Sequence, residues 1–531
     1  MPFDRARPQA AIPAPFPFAL HRRAFLEGTG KGLALAGMGA LLPACGGGGS
    51  EAGTGASTPP PTEMPPVLPA PDAAYVQLRR VSYGVSQAHM AEASNDIEGY
   101  LEAQLRYDML DDQAVEEAIA FRFPNALRTP EALRAGFPAN QQQVVADLIS
   151  ATLLRRFYSP RQLFEQMVEM WGDHFNIHIR NGIGPILHPA YDFETLRPHA
   201  MGSFRALLGA TARSPAMLFY LDNFLNQRTA PNENYARELM ELHTLGVDGG
   251  FSEDDVKEVA RCFTGWSLDF RTGRFRFIPA LHDDDEKQVL GTTIPASGGQ
   301  RDGEIVLDLL AAHPSTARHV AERICRRFLA DTPDTSDVEA VAAAFAGSGG
   351  DIPTALRAAM GRPGFRATAD TKTTRPVEFL GQLVRTLRAS DTLPSDEAIR
   401  LIYGMLDILG QVPFFWAPPD GYPDEGAFWR STSGLLNRWR IALGLTALAE
   451  TGAIDLAATV ATAETVADAV DMAAARVVVR AIADPDRNRI IDYLVGEIGG
   501  SATSPQSPGT LRALAPLIIA LLASAPYLQL R

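Results

Sequence analysis

The chain has 531 residues, 46% of them apolar and 21% charged, and a formal net charge of −14. That length buries a large core and more than one structural unit. The acidic balance, with its carboxylates spread along the chain, excludes a nucleic-acid partner, because phosphate binding needs a basic face.

The N-terminal segment reads as an address. Arg22-Arg23-Ala24-Phe25-Leu26 has the RRxFL spacing of a twin-arginine export signal. The apolar run after it, Leu33 to Leu42, falls short of the roughly 20 residues a membrane-spanning helix needs and matches the core of a signal peptide. Leu42-Pro43-Ala44-Cys45 then has the form of a lipobox, with Cys45 as the lipidated first residue of the mature chain. Pro43 is not a favoured lipobox residue, so a soluble export signal with an incidental cysteine stays open. Residues 46–72, rich in Gly, Ser, Thr and Pro, cannot bury a core and read as a disordered tether. The expected organisation is 1–45 signal, 46–72 tether and 73–531 helical body. The protein is then exported to the periplasm or cell surface and attached to the membrane by its lipid. Twin-arginine substrates cross folded, often around a cofactor, which is a reason to look for a metal or cofactor site.

The body reads as mostly α, a multi-helix array of two subdomains joined near 291–303, because alternating β-branched runs are scarce. Helical periodicity covers 143–157, then a start at Ser159-Pro160-Arg161-Gln162, with a cap, a first-turn proline and a capping-box glutamine. In "FEQMVEMWGDHFNIHI", about 100° per residue puts Leu163, Met167, Met170 and Trp171 on one face. His174 and His178 fall in the same arc, one turn apart, close enough to ligate one metal if the helix continues. Glu165, Glu169 and Asp173 point the other way. If "HFNIHI" is a strand instead, the two histidines lie ~13 Å apart and share no ion. "YDFETLRPHA" adds Asp192 and His199 and follows His188, with prolines that leave their geometry open.

"NENYARELMELHTLG" follows, with Asn232 as its cap. Glu233, Asn234, Arg237, Glu238, Glu241 and Thr244 form a polar arc; Tyr235, Leu239, Met240 and Leu242 form an apolar one that contains His243. The polar arc is either a solvated face laced with pairs such as Arg237–Glu241 or the wall of a cleft with Glu238 as acid, base or ligand. Ser252-Glu253-Asp254-Asp255 opens the next helix, and a short hairpin is expected within 269–290. "LHDDDEK" places His282, Asp283 and Lys287 in a loop, where site residues concentrate, although three aspartates in a row are also an ordinary solvated run. Helices are expected at 304–329, 337–346, 353–360, 376–389, 396–409, 434–450 and 465–482, with loops at 291–303, 347–353 and 411–427. Leu511 to Leu522 reads as a buried helix too short to span a bilayer. Cys262 and Cys325 sit in apolar helical contexts, and sequence leaves open whether they pair.

No HExxH, GxSxG or Walker pattern occurs, but eight of the ten histidines fall between His174 and His319. "LRRVSYGVS", "WGDHF", "RPHAMGSFRALL", "SPAMLFYLDN", "PNENYARELMELHTLGVDGGFSEDDVKEVARCFTGW", "LHDDDEKQVLG", "AAHPSTARHVAERICRRF", "RPVEFL" and "PPDGYPDEGAFW" follow one another in an order that resembles the bacterial domain-of-unknown-function 1800 family, from about residue 76 to the C-terminus. The resemblance implies a mostly helical fold, export and a neighbouring exported protein that resembles sulfatases. It implies no activity. His174, Asn232, Glu233, Asn234, Arg237, Glu238, Trp266, His282 and Lys287 match positions that recur in the family; at His243 aromatic residues serve as well.

Two functions compete. The first is a metal-assisted hydrolase or oxidoreductase of the cell envelope. Its metal ligands would be His174, His178 and Glu233, and its catalytic groups Glu238, Arg237, His282 and Lys287. The cofactor is unknown beyond the candidacy of a divalent metal, which would lower the pKa of a bound water. The second is a non-catalytic surface scaffold or assembly partner for the companion sulfatase-like protein. The two are separated by whether His174, Glu238 and His282 meet in one pocket.

Overall fold

The structure is a computed structural model and describes residues 68–367 and 369–531. The expected signal, the expected lipobox with Cys45 and nearly all of the expected tether lie outside the described residues. The body is mostly helical, as expected, and its only sheets among the described residues are two short hairpins.

Asp72 caps α1 (Ala73–Val81) by accepting from the Ala74 amide at 2.7 Å. α2 (Gln141–Tyr158) and α3 (Gln162–His174) follow, split at Ser159. α3 begins two residues later than the Ser-Pro signal predicts. Gln162 makes no capping box: its side chain accepts from the Tyr83 amide at 3.0 Å and donates to the Ser159 carbonyl at 2.8 Å. α4 (Asn234–Glu238) runs on into a wider π turn, Leu239–Thr244, and the Asn232 side chain accepts from the Asn234 amide at 2.9 Å. α5 (Glu253–Cys262) carries the expected capping box, with Asp255 as the returning side chain.

The single hairpin expected in 269–290 is two hairpins. β1 (Trp266–Asp269) pairs antiparallel with β2 (Arg274–Phe277), and β3 (Lys287–Val289) with β4 (Thr292–Ile294). Asp269 makes the first turn by accepting from the Arg271 amide at 2.7 Å, and Gly273 completes it at a φ of 64°. The long helix expected at 304–329 is broken at His313-Pro314 into α6 (Gln300–Ala312) and α7 (Pro314–Phe328). Pro314 cannot donate to a continuing helix, and the His313 ring caps the new one. α8 (Pro376–Leu387) and α9 (Asp396–Leu409) match their expected spans closely. The 434–450 stretch divides at Gly444 into α10 (Thr432–Leu443) and a short helix Leu445–Glu450. α11 (Pro508–Ser524) is the buried C-terminal helix; no helix among the described residues is long and apolar enough to cross a membrane.

Two large hydrophobic cores result. One gathers α3 through α7 and the helix Ile352–Met360; the other gathers α2, α8, α9, α10 and α11. Residues 291–303 do not divide the cores, since Val289 before them, Ile294 among them and Val306 after them share the first. The chain passes from the first core to the second for the last time between Phe365 and Val377. Cys262 and Cys325 are free and buried in the first core, where burial pushes both thiols up, that of Cys325 to about 12.

Glu165 and Glu169 point away from the apolar arc of α3, as the periodicity requires, yet both are buried. They face a charged layer between the cores. Glu169 accepts from Tyr83 at 2.9 Å, Arg327 at 3.0 Å and Arg375 at 2.8 Å, and pairs with Arg156 at 3.1 Å. These partners come from four separate segments. The guanidinium groups hold the Glu169 carboxyl far below its ordinary value despite the cost of burial.

Candidate functional site

α3 ends at His174, so His174 and His178 do not share a helical face. Phe175 leaves helical geometry, at φ −108° and ψ 50°, and His178 lies beyond it against Phe415. His174 turns into the first core, where its Nε2 donates to the His243 carbonyl at 3.0 Å. Its ring lies 6.2 Å from that of His243 and 5.8 Å from that of His319. Burial holds His174 well below its ordinary value and His243 down to about 3, so these imidazoles are neutral. Glu233 is elsewhere, paired with Arg237 at 3.4 Å. The three residues expected as metal ligands therefore do not converge. Among the described residues no group of three or more His, Cys, Asp or Glu side chains is placed to hold a metal ion.

Arg237 spends its guanidinium on Glu233, Glu241 and, at 2.7 Å, Glu253. This is the solvated face that the sequence left as an alternative. His282, Lys287 and Asp302 form a closed knot. The His282 ring meets the Thr264 carbonyl at 2.8 Å and Asp302 at 3.1 Å. Lys287 gives its three donors to Asp302, at 2.8 Å, and to the carbonyls of Asp283 and Asp285. Lys287 and Asp302 are wholly buried, so the knot fixes the β3–β4 hairpin on α6 and offers no donor to a substrate. None of the four cavities found at the surface of the described residues is lined by His174, Glu238 or His282.

Glu238 belongs to a different setting. It is half-buried, and burial together with the charges of Glu241 and Asp420 raises its carboxyl. Asp420 is in the loop that connects α9 with α10, and that loop builds a cleft. Met170 and Asp173 of α3, Arg323, Arg326 and Arg327 of α7, and Asp420–Glu425 line a space of about 210 Å³.

The loop is held from several sides. Asn176 donates to the carbonyls of Trp416 at 3.0 Å and Pro418 at 2.6 Å, and Tyr422 donates to that of Val412 at 2.8 Å. Gly421 passes so near α3 that a Cβ there would lie 2.0 Å from the Asp173 carbonyl oxygen, and its φ is +74°. Only glycine allows that approach.

The cleft holds two groups with chemical capacity. Burial and the neighbouring Glu169 charge push the Asp173 carboxyl up to about 7, against the pull of Arg375. Its side chain remains 16% exposed, so solvent or a ligand reaches it. Arg323 is half-buried and, among the described residues, makes no hydrogen bond or close ion pair; burial lowers its guanidinium, against the nearby charges of Asp173 and Asp424. Arg326 and Arg327 beside it are committed, to Glu322 at 2.6 Å and to Glu169 at 3.0 Å. Behind Asp173 and Tyr422, which line both spaces, lies a smaller polar cavity of about 20 Å³, room for one water.

The periodicity of α3 places Asp173 away from the apolar arc without marking it as a site residue, and no motif marks Arg323. The available signal was "RHVAERICRRF", a helix carrying Arg318, Arg323, Arg326 and Arg327 against a single glutamate in an acidic chain.

A family model described as a protein of unknown function, DUF1800, matches residues 76–530. No curated protein and no solved structure matches the chain.

Proposed function

Because the chain belongs to the DUF1800 family, whose description assigns no activity, we propose its function from the cleft itself: it binds an anionic group on Arg323 and exchanges a proton with the bound molecule through Asp173. The observation that carries this reading is the meeting, in one accessible cleft, of a guanidinium that spends no hydrogen bond within the described residues and a carboxyl that titrates near neutrality. A general acid or base works best when its pKa lies near the working pH. A guanidinium that already faces the cleft stabilises negative charge without reorganising. Hydrolysis of an acidic envelope substrate uses both properties, with Asp173 protonating the leaving group. The Arg22-Arg23 signal, with Cys45 as anchor, supports the meeting of protein and substrate outside the cytoplasm.

Carboxylate-bearing glycosides and esters, and sulfate and phosphate monoesters, are the substrates to assay. Asp173→Asn is expected to lower kcat by ~100-fold or more. Arg323→Ala is expected to raise KM. Unchanged turnover in the Asp173→Asn protein overturns the reading.

The scaffold reading has one observation of its own. Leu436, Trp439 and Leu443 lie exposed along one face of α10, and Phe428 is exposed just before it. An apolar stripe of this kind suits a companion exported protein. Co-purification of such a protein, lost in Trp439→Glu, tests it.

A further inference from the structure

The cleft of Asp173 and Arg323 does not end at Arg326. Arg326 and Glu425 also line a second hollow of about 430 Å³, bounded by Arg318 and Glu322 of α7, the 331–335 segment and Arg430. Two of its cations are uncommitted. Arg318 and Arg430 are exposed and, among the described residues, make no hydrogen bond or ion pair. Arg318 and Arg323 are five residues apart on α7, a rise of ~7.5 Å, and serve different hollows. One small anion does not engage both.

The lining also limits what the second anionic group is attached to. Glu322, Asp331 and Glu425 stand among Arg318, Arg326 and Arg430, so the hollow is balanced rather than basic. A polymer with a phosphate at every step meets those carboxylates as repulsion. A chain with hydroxyl groups between sparse acidic ones gives each carboxylate a donor and each free arginine an acceptor.

Resting on the reading of Arg323 and Asp173 as a ligand site, we infer that the two hollows form one elongated binding cleft for a linear acidic oligosaccharide. One acidic group sits on Arg323 and another on Arg318 and Arg430.

Calorimetric titration of the full chain with galacturonate and with its dimer and tetramer tests this. The tetramer is expected to bind ~10-fold or more tighter than the monomer, because the second contact is intramolecular. The double variant Arg318→Ala, Arg430→Ala brings the tetramer down to the affinity of the monomer, and Arg323→Ala removes binding of both. Both altered sites of the double variant are exposed, and an unchanged thermal midpoint verifies its fold. Equal affinity for monomer and tetramer, with Arg323 still required, overturns the elongated cleft and leaves the underlying reading standing. Binding that ignores Arg323, or none at all, overturns both. Tighter binding of an equally long polyphosphate or single-stranded DNA overturns the assignment to a sugar chain.

Discussion

Asp173 and His174 are neighbours on one helix, and a turn of about 100° sends them to opposite fates. His174 enters an apolar core, where its neutral ring meets a backbone carbonyl through Nε2 and leaves Nδ1 without a partner. Asp173 faces the edge of the charged layer, close to Glu169, where ionisation costs more than it does in water. This has a sign. A carboxyl raised in the folded state binds its proton more tightly there than in the unfolded chain. Its contribution to stability is complete below the ordinary carboxylate value, and is lost as pH rises through about 7. Asp173→Asn should therefore be more stable than the parent at pH 8, by about 1–2 kcal/mol, with little difference at pH 4, as measured by urea unfolding. Galacturonate affinity should fall as pH rises from 5.5 to 8.5 in the parent, because the new charge repels the ligand, and stay level in the variant. The histidine arc of α3 was legible from its 3.6 periodicity. The value of Asp173 was not, because it depends on Glu169, Arg375 and burial, and two of those three come from contacts that no spacing encodes.

At the scale of elements, local signals served where the structure uses local bonds. The Ser252–Asp255 capping box and the break before Pro314 are both written in a few consecutive residues. The start of α3 was misplaced because Gln162 serves a distant partner, the Tyr83 amide. The loop between α9 and α10 is the element on which the cleft depends. Gly421 lets it touch α3, so Gly421→Ala combines a strained φ with a backbone clash against Asp173. That substitution is expected to cost about 2–4 kcal/mol and to weaken ligand binding together with stability. Thermal unfolding and calorimetry on the same preparation measure both. An unchanged midpoint would mean that the loop does not need this approach.

Across the whole molecule the two cores are interleaved rather than consecutive. α2 lies early in the chain, yet Leu148, Leu153 and Phe157 pack in the second core with α8 to α11. A fragment of residues 369–531 should therefore lack a cooperative thermal transition and near-ultraviolet signal, since it leaves that core without one of its walls; a fragment spanning 113–531 restores α2 but still breaks the pairing of Tyr83 with Glu169. Calorimetry of the first fragment decides, and a sharp transition would contradict the interleaving. By itself the sequence determined the helical class, most helix spans and the family, because periodicity, caps and motif order are properties of neighbouring residues. Only the tertiary structure decided which charged groups are spent and which are free. Lys287 and His282 look as chemical as Asp173 and Arg323 in the sequence, and the difference arises from partners that long-range folding either delivers or withholds.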